Sequence, residues 1–202
     1  MKILVISDTH GDIKRAINLV NSIKGIDMII HCGDNKRDAE KLADRFSDIE
    51  VVAVSGNCDM HMGVDFTIVD TEAGDIFVTH GHDYGVNYGL SDIVEAAKDY
   101  DCSAICFGHT HKPLCMEHDG VLIVNPGSLS EPRGGSENSC AVITTEGDKL
   151  YANIVLYGTV CGARSEAKKA ASLGICLTIA TDFKNLMLSL ILWLFDLMDI
   201  SD

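Results

Sequence analysis

The chain has 202 residues, 47% of them hydrophobic, which suits one domain of ordinary size with a full core. Its formal net charge of −14 argues against a groove that tracks a long nucleic acid, because a polyanion would be repelled. It does not argue against a small phosphate ester, since divalent cations held in a site dominate the local field.

In chain order, residues 2–7 read as a buried strand, and the apolar run before Asp8 is too short for a signal peptide. Residues 12–24 read as a helix with Ile13, Ala16, Ile17, Val20 and Ile23 on one face, Asp12 as N-cap and Gly25 as stop. A strand over 27–32, a helix over 37–46 and a strand over 51–55 complete a β-α-β-α-β alternation, which implies parallel strands joined by helical crossovers. Strands over 66–71 and 75–79 flank an Ala73-Gly74 turn, and a helix over 91–100, capped by Ser91, leads to a short strand at 104–107. Strands then dominate, at 114–118, 121–124, 139–145 and 149–157, with hairpin turns at Asp119-Gly120 and Gly147-Asp148.

Residues 158–202 differ in composition. Helices are expected over 165–172 and 183–200, and the second is apolar except for a stripe of Asn185, Ser189, Asp196 and Asp199. Its uncharged stretch, 185–195, is well short of the ~20 residues a membrane span requires. The stripe is acidic and lacks the Lys and Arg of membrane-surface helices, so no membrane association is expected. The expectation is packing on the domain and against a second copy, giving a homo-oligomer; the alternative is a helix tucked within its own monomer. The eight cysteines contain no C-x-x-C pair, which points to reduced thiols and a cytoplasmic protein.

The chemistry gathers where apolar strands end. Five blocks stand there in order: Asp8-Thr9-His10, Gly33-Asp34, Gly56-Asn57-Cys58-Asp59, Thr79-His80-Gly81-His82 and Gly108-His109-Thr110-His111. Any one of them reads more readily as a turn or a cap than as a metal site. All five together read as one cluster of metal ligands. Asp8/His10 and His109/His111 have the i, i+2 spacing that lets two side chains converge from an extended segment. Oxygen and nitrogen donors without thiolate suit Mn²⁺ best, with Fe, Ni, Co or Zn as alternatives.

With Lys112-Pro113 and Asn125-Pro126-Gly127-Ser128, these blocks resemble the calcineurin-like metallophosphoesterase superfamily, in particular its small single-domain bacterial and archaeal phosphodiesterases. The resemblance covers about residues 1–157. It implies an α/β fold, a four-layer αββα sandwich of two mixed β-sheets flanked by helices, with residues 158–202 as a helical C-terminal extension. It also implies two divalent metal ions. Asp8, His10, Asp34 and His111 would hold one; Asp34, Asn57, His80 and His109 would hold the other, with Asp34 bridging. The implied activity is hydrolysis of a phosphodiester by metal-activated water. The alternatives are a phosphomonoesterase with the same site, or a non-catalytic scaffold such as the retromer subunit that shares the fold but has lost part of the ligand set.

Many members of that superfamily carry a His where this chain has Cys58, which leaves the general acid open. Cys58 is either a small residue that fits or a proton donor. His82 either supports the metal site or approaches the leaving oxygen. His61 is a loop residue or a second donor. Arg133 is a surface residue or a contact to substrate phosphate, and Asn125 to Ser128 shape the wall of the site. His31 reads as a core or supporting residue, and His118 as exposed.

Overall fold

Strand β1, Lys2–Ile6, is the axis of the first sheet, and all of Ile3 to Ile6 is buried. The computed structural model describes residues 1–59 and 63–162, so His61, Cys176 and the helices expected over 165–172 and 183–200 lie outside the described residues. After β1 come α1 (Ile13–Ser22), β2 (Met28–His31), α2 (Lys36–Arg45) and β3 (Glu50–Ala53). The second half contains β4 (Phe66–Val69), β5 (Ile76–Thr79), α3 (Ser91–Asp99), β6 (Ala104–Cys106), β7 (Pro113–His118), β8 (Val121–Pro126), β9 (Ser139–Glu146) and β10 (Lys149–Leu156).

The strands form two five-stranded sheets, ordered β10-β9-β1-β2-β3 and β4-β5-β6-β8-β7. Both are mixed. β1, β2 and β3 are parallel; β9 adds to β1, and β10 to β9, each antiparallel to its neighbour. In the other sheet β5, β6 and β8 are parallel, with β4 and β7 antiparallel at the edges.

Alternation along the strands builds four layers. Ile3, Val5, Met28 and Ile30 of the first sheet meet Ile76, Val78, Ala104 and Val124 of the second in one core. The opposite faces, Leu4, Ile6 and Ile29, pack on Ala16, Leu19 and Val20 of α1 and Leu42 of α2. Phe77, Ile105 and Ile123 pack on Ile93, Val94 and Ala97 of α3. Each fully buried side chain of this size contributes about 1.5–3 kcal/mol. The result is the expected αββα sandwich, and among the described residues no helix is long and apolar enough to cross a membrane.

Helix ends differ from expectation. Asp12 precedes α1 but makes no side-chain cap bond; its carboxylate pairs with Arg15 instead. α1 stops at Ser22 because Ile23 is already extended (φ −86°, ψ 125°), before Gly25 is reached. Ser91 is the first residue of α3 rather than its cap. α2 is capped from a distance: the amides of Asn35 and Lys36 donate to Oδ1 of Asp59, at 3.0 and 2.8 Å. The described cysteines are all free.

Candidate metal centre

The parallel strands β1 and β2 end at one rim, as do β5 and β6, and the five motif blocks meet there. Oxygen or nitrogen atoms of Asp8, His10, Asp34 and His111 lie within 4.8 Å of one another. Nε2 of His111 is 3.0 Å from Oδ1 of Asp8, and Nε2 of His10 is 3.7 Å from Oδ2 of Asp34. A second set adjoins it. Oδ1 of Asn57 is 3.2 Å from Nε2 of His80 and 2.9 Å from Nδ1 of His109. The Asp34 carboxylate faces both sets, since its Oδ1 is 3.4 Å from Nε2 of His80.

Hydrogen bonds behind the rings settle their tautomers. Nδ1 of His80 donates to the Cys32 carbonyl at 2.7 Å, and Nδ1 of His111 donates to the Glu131 carbonyl at 2.6 Å. A carbonyl only accepts, so the neutral rings turn bare Nε2 atoms into the cluster. Oδ1 of Asp8 is then enclosed without a donor, facing the lone pair of His111. Only a proton or a cation can occupy that space favourably. The proton alternative is visible in the pKa of His111, where burial works downward but the hydrogen bond and charge of Asp8 prevail and raise it. Asp8 answers in kind: burial works upward, but its bond to His111 and the nearby His80 prevail and lower it. Buried carboxylates facing bare imidazole nitrogens are the donor set of a hard or borderline divalent cation, so the residues fit the expected metal.

The i, i+2 pairs reach the cluster differently from expectation. Asp8/His10 and His109/His111 do not converge from extended chain. Their φ values are 52°, 43°, 64° and 58°, and that of Asp34 is 60°, all left-handed. Such backbone costs an L-residue about 1–2 kcal/mol, so the surrounding structure must hold it. The Asp8 carbonyl accepts from Ser128 Oγ and Ser130 Oγ, both at 2.8 Å. Asn125 Nδ2 donates to the Gly108 carbonyl at 2.7 Å, so the Asn125–Ser128 segment braces two of the motif loops. Gly56 lets the third loop approach: a Cβ there would lie 2.2 Å from Oδ1 of Asp34.

The other expected site residues border the cluster. Cys58 donates its amide to Oδ1 of Asp34 at 3.0 Å, and its thiol is exposed. Burial, then the bond and charge of Asp34, push that thiol up to about 11, so it stays protonated at neutral pH. The His82 ring stands 5.4 Å from that of His80 and 6.1 Å from that of His109, and its Nδ1 is buried without a partner. Arg133 has an exposed side chain, but its amide donates to the His111 carbonyl at 3.1 Å. His31 is buried beneath the cluster, and His118 is exposed and far along β7.

Three residues at the site were given no role of their own from the sequence, although Asp59 stands in the third motif block. Asp59 caps α2 and also accepts from the Gly56 amide at 2.8 Å, which ties the third loop to the second. Asn87 meets Nε2 of His109 at 2.9 Å, and a carboxamide can hold either tautomer of that ring. Asp38 is fully buried in α2 and accepts from Thr9 and Gly11. Asp38 left a signal of another kind, an acidic residue among the buried positions of an amphipathic helix. A cleft of about 530 Å³ opens beside His10 and Cys58, with Lys36 and Arg37 on its wall.

Comparison with known proteins agrees with this geometry. Residues 1–148 match the calcineurin-like phosphoesterase superfamily domain. A probable metallophosphoesterase of Bacillus subtilis, YsnB, is 34% identical over 151 residues, covering 73% of this chain and 86% of the relative. The phosphodiesterase YfcE of Escherichia coli is 29% identical over 171 residues, covering 72% and 89%. Among solved structures, a predicted phosphoesterase of Streptococcus pneumoniae superposes with a TM-score of 0.64 at 25% identity, covering 77% of this chain and 89% of the other. The chain belongs to the calcineurin-like phosphoesterase superfamily.

Proposed function

We propose that this member of the calcineurin-like phosphoesterase superfamily is a metal-dependent phosphodiesterase with a dinuclear centre, in which Asp34 bridges. Asp8, His10, Asp34 and His111 would hold one ion, and Asp34, Asn57, His80 and His109 the other. The observation that carries the reading is the Asp34 carboxylate, with Oδ2 toward His10 and Oδ1 toward His80, between two donor sets. When bound, divalent cations supply Lewis acidity, which compensates charge on the phosphoryl oxygens and acidifies water.

The chain's own residues supply the rest. The carbonyls of Cys32 and Glu131 hold His80 and His111 in the tautomer that offers Nε2. The lowered pKa of His109, caused by burial and then by His80, keeps its ring neutral and available as a donor. His82, beside the cluster, is proposed to protonate the leaving oxygen, because a thiol at about 11 is poorly matched to acid catalysis near pH 7. The cleft beside His10 and Cys58 would take one ester arm, and Arg133 a phosphate oxygen. Mn²⁺ suits the donors best.

The test is metal content and turnover together. Protein reconstituted with Mn²⁺ should carry two ions per chain and hydrolyse bis-p-nitrophenyl phosphate faster than p-nitrophenyl phosphate. Preference for the monoester would make it a phosphomonoesterase, and metal uptake without any turnover would favour a scaffold. The homo-oligomer proposed from residues 183–200 rests on the sequence. Sedimentation of the chain with and without residues 175–202 tests it.

A further inference from the structure

Beneath the cluster lies a chain of hydrogen bonds that touches no ligand atom. The Gly33 amide donates to Nδ1 of His31 at 3.2 Å. Nε2 of His31 lies 3.0 Å from Oγ1 of Thr9, and the Thr9 hydroxyl donates to Oδ2 of Asp38 at 2.8 Å. The same Oδ2 accepts from the Gly11 amide at 2.8 Å, and Lys41 Nζ reaches Oδ1 at 2.9 Å. Thr9, His31 and Asp38 are all fully buried.

The direction of this chain is determined at both ends. An amide N–H only donates, and a carboxylate only accepts. Thr9 has a single hydroxyl proton, which goes to Asp38, so its oxygen must accept from His31. His31 therefore carries its proton on Nε2 and offers a lone pair to Gly33. Reversing any link would set two donors or two acceptors face to face in a dry environment.

The ends of the chain lie in two ligand loops. Thr9 separates Asp8 from His10, both left-handed, and Gly33 (φ 93°) precedes left-handed Asp34. One backbone bond, from the Asp8 amide to the Gly33 carbonyl at 3.1 Å, already joins these loops. The side-chain relay joins them a second time and adds the anchor in α2.

We propose that His31 and Asp38 are positioning residues, which with Thr9 form a one-way relay that locks the Asp8-Thr9-His10 loop to the Gly33-Asp34 loop and so presets the separation of the Asp8 and Asp34 carboxylates. This rests on the metal reading above. The relay acts through loop geometry, so its effect falls on cation affinity. Losses of partners behind metal ligands weaken binding by about 10–100-fold.

Titration calorimetry of full-length, metal-free protein with Mn²⁺ tests it. Thr9→Val removes the hydroxyl at constant shape and should weaken binding about tenfold, whereas Thr9→Ser, which restores the relay, should bind within about twofold of wild type. His31→Phe keeps the ring volume and leaves the bonds from Thr9 and Gly11 to Asp38 intact, so it tests the link alone and should weaken Mn²⁺ binding similarly. Melting of the metal-free variants separates this from a merely structural role, because a lost core contact would lower stability without following the hydroxyl. Val and Phe variants that bind Mn²⁺ like wild type, or a Ser variant as weak as Val, would overturn the relay while leaving the metal centre standing. A wild-type protein that takes up no Mn²⁺ would overturn both.

Discussion

The two ends of the sandwich use the same unusual backbone for opposite reasons. At the far end, Asp119 (φ 52°), Gly120 (φ 77°) and Gly147 (φ 61°) are left-handed in two-residue hairpins, where the turn itself requires it. These residue types tolerate the region, and they are exposed. At the rim where the motif blocks meet, Asp8, His10, Asp34, His109 and His111 are left-handed with no hairpin to require it, and all but His10 and His109 are buried. There the conformation is held by Ser128, Ser130, Asn125, Asp38 and Asp59 rather than by local sequence. Strain without a local cause marks where side chains have been aimed at a common point.

This comparison breaks most sharply at Asp34. Asp34→Asn should cut kcat/KM on bis-p-nitrophenyl phosphate roughly a thousandfold and remove most bound Mn²⁺, as loss of several kcal/mol of charge stabilisation implies. Its Oδ1 can still accept the Cys58 amide, so the metal-free melting temperature should not fall. A variant that retains two ions and near-normal turnover would remove Asp34 from the bridge.

Gly56→Ala should come next, with about a hundredfold loss of activity and about 1–3 kcal/mol of stability in urea unfolding. The added Cβ would meet Oδ1 of Asp34 at 2.2 Å and its backbone nitrogen at 2.5 Å, and the backbone contact cannot rotate away. Wild-type turnover in this variant would mean the third loop can shift without disturbing the cluster.

Cys58→Ala should be much milder. The Cys58 amide donates to Asp34, and that bond survives the substitution, while the thiol, which also faces Asp34, stays protonated and carries no charge to lose. Activity should stay within about threefold of wild type, against a loss of about a hundredfold for His109→Ala, as expected when one metal contact is removed. Equal damage in the two variants, at saturating Mn²⁺, would assign the thiol a direct chemical role.

The far end supplies the smallest effect on activity. Gly120→Ala has open space around the new Cβ but keeps φ at 77°, so it should cost about 1 kcal/mol of stability and leave turnover unchanged. A measurable loss of kcat/KM there would show that the two ends are coupled.

Much of this was legible in the chain. The order of strands and helices was legible, because an unbroken apolar run such as Ile3 to Ile6 and the helical spacing of Ala16 and Val20 are local consequences of burial, whereas the four layers were implied by the family resemblance and Leu19, fully buried on α1, was missing from the expected face. The residue types of the motifs determined the chemistry, because Asp, Asn and His at strand ends carry their donor atoms wherever the chain takes them. Helix caps were less legible: α2 is capped by Asp59 and not by a neighbour. What only the tertiary structure decided is orientation. The tautomers of His80 and His111 depend on the carbonyls of Cys32 and Glu131, distant in sequence, and the left-handed turns at Asp8 and His10 depend on Ser128, Ser130 and Asp38. Hydrogen bonds act over about 3 Å whatever the separation along the chain, so these partners become visible only when the sheets have brought the loops to one rim.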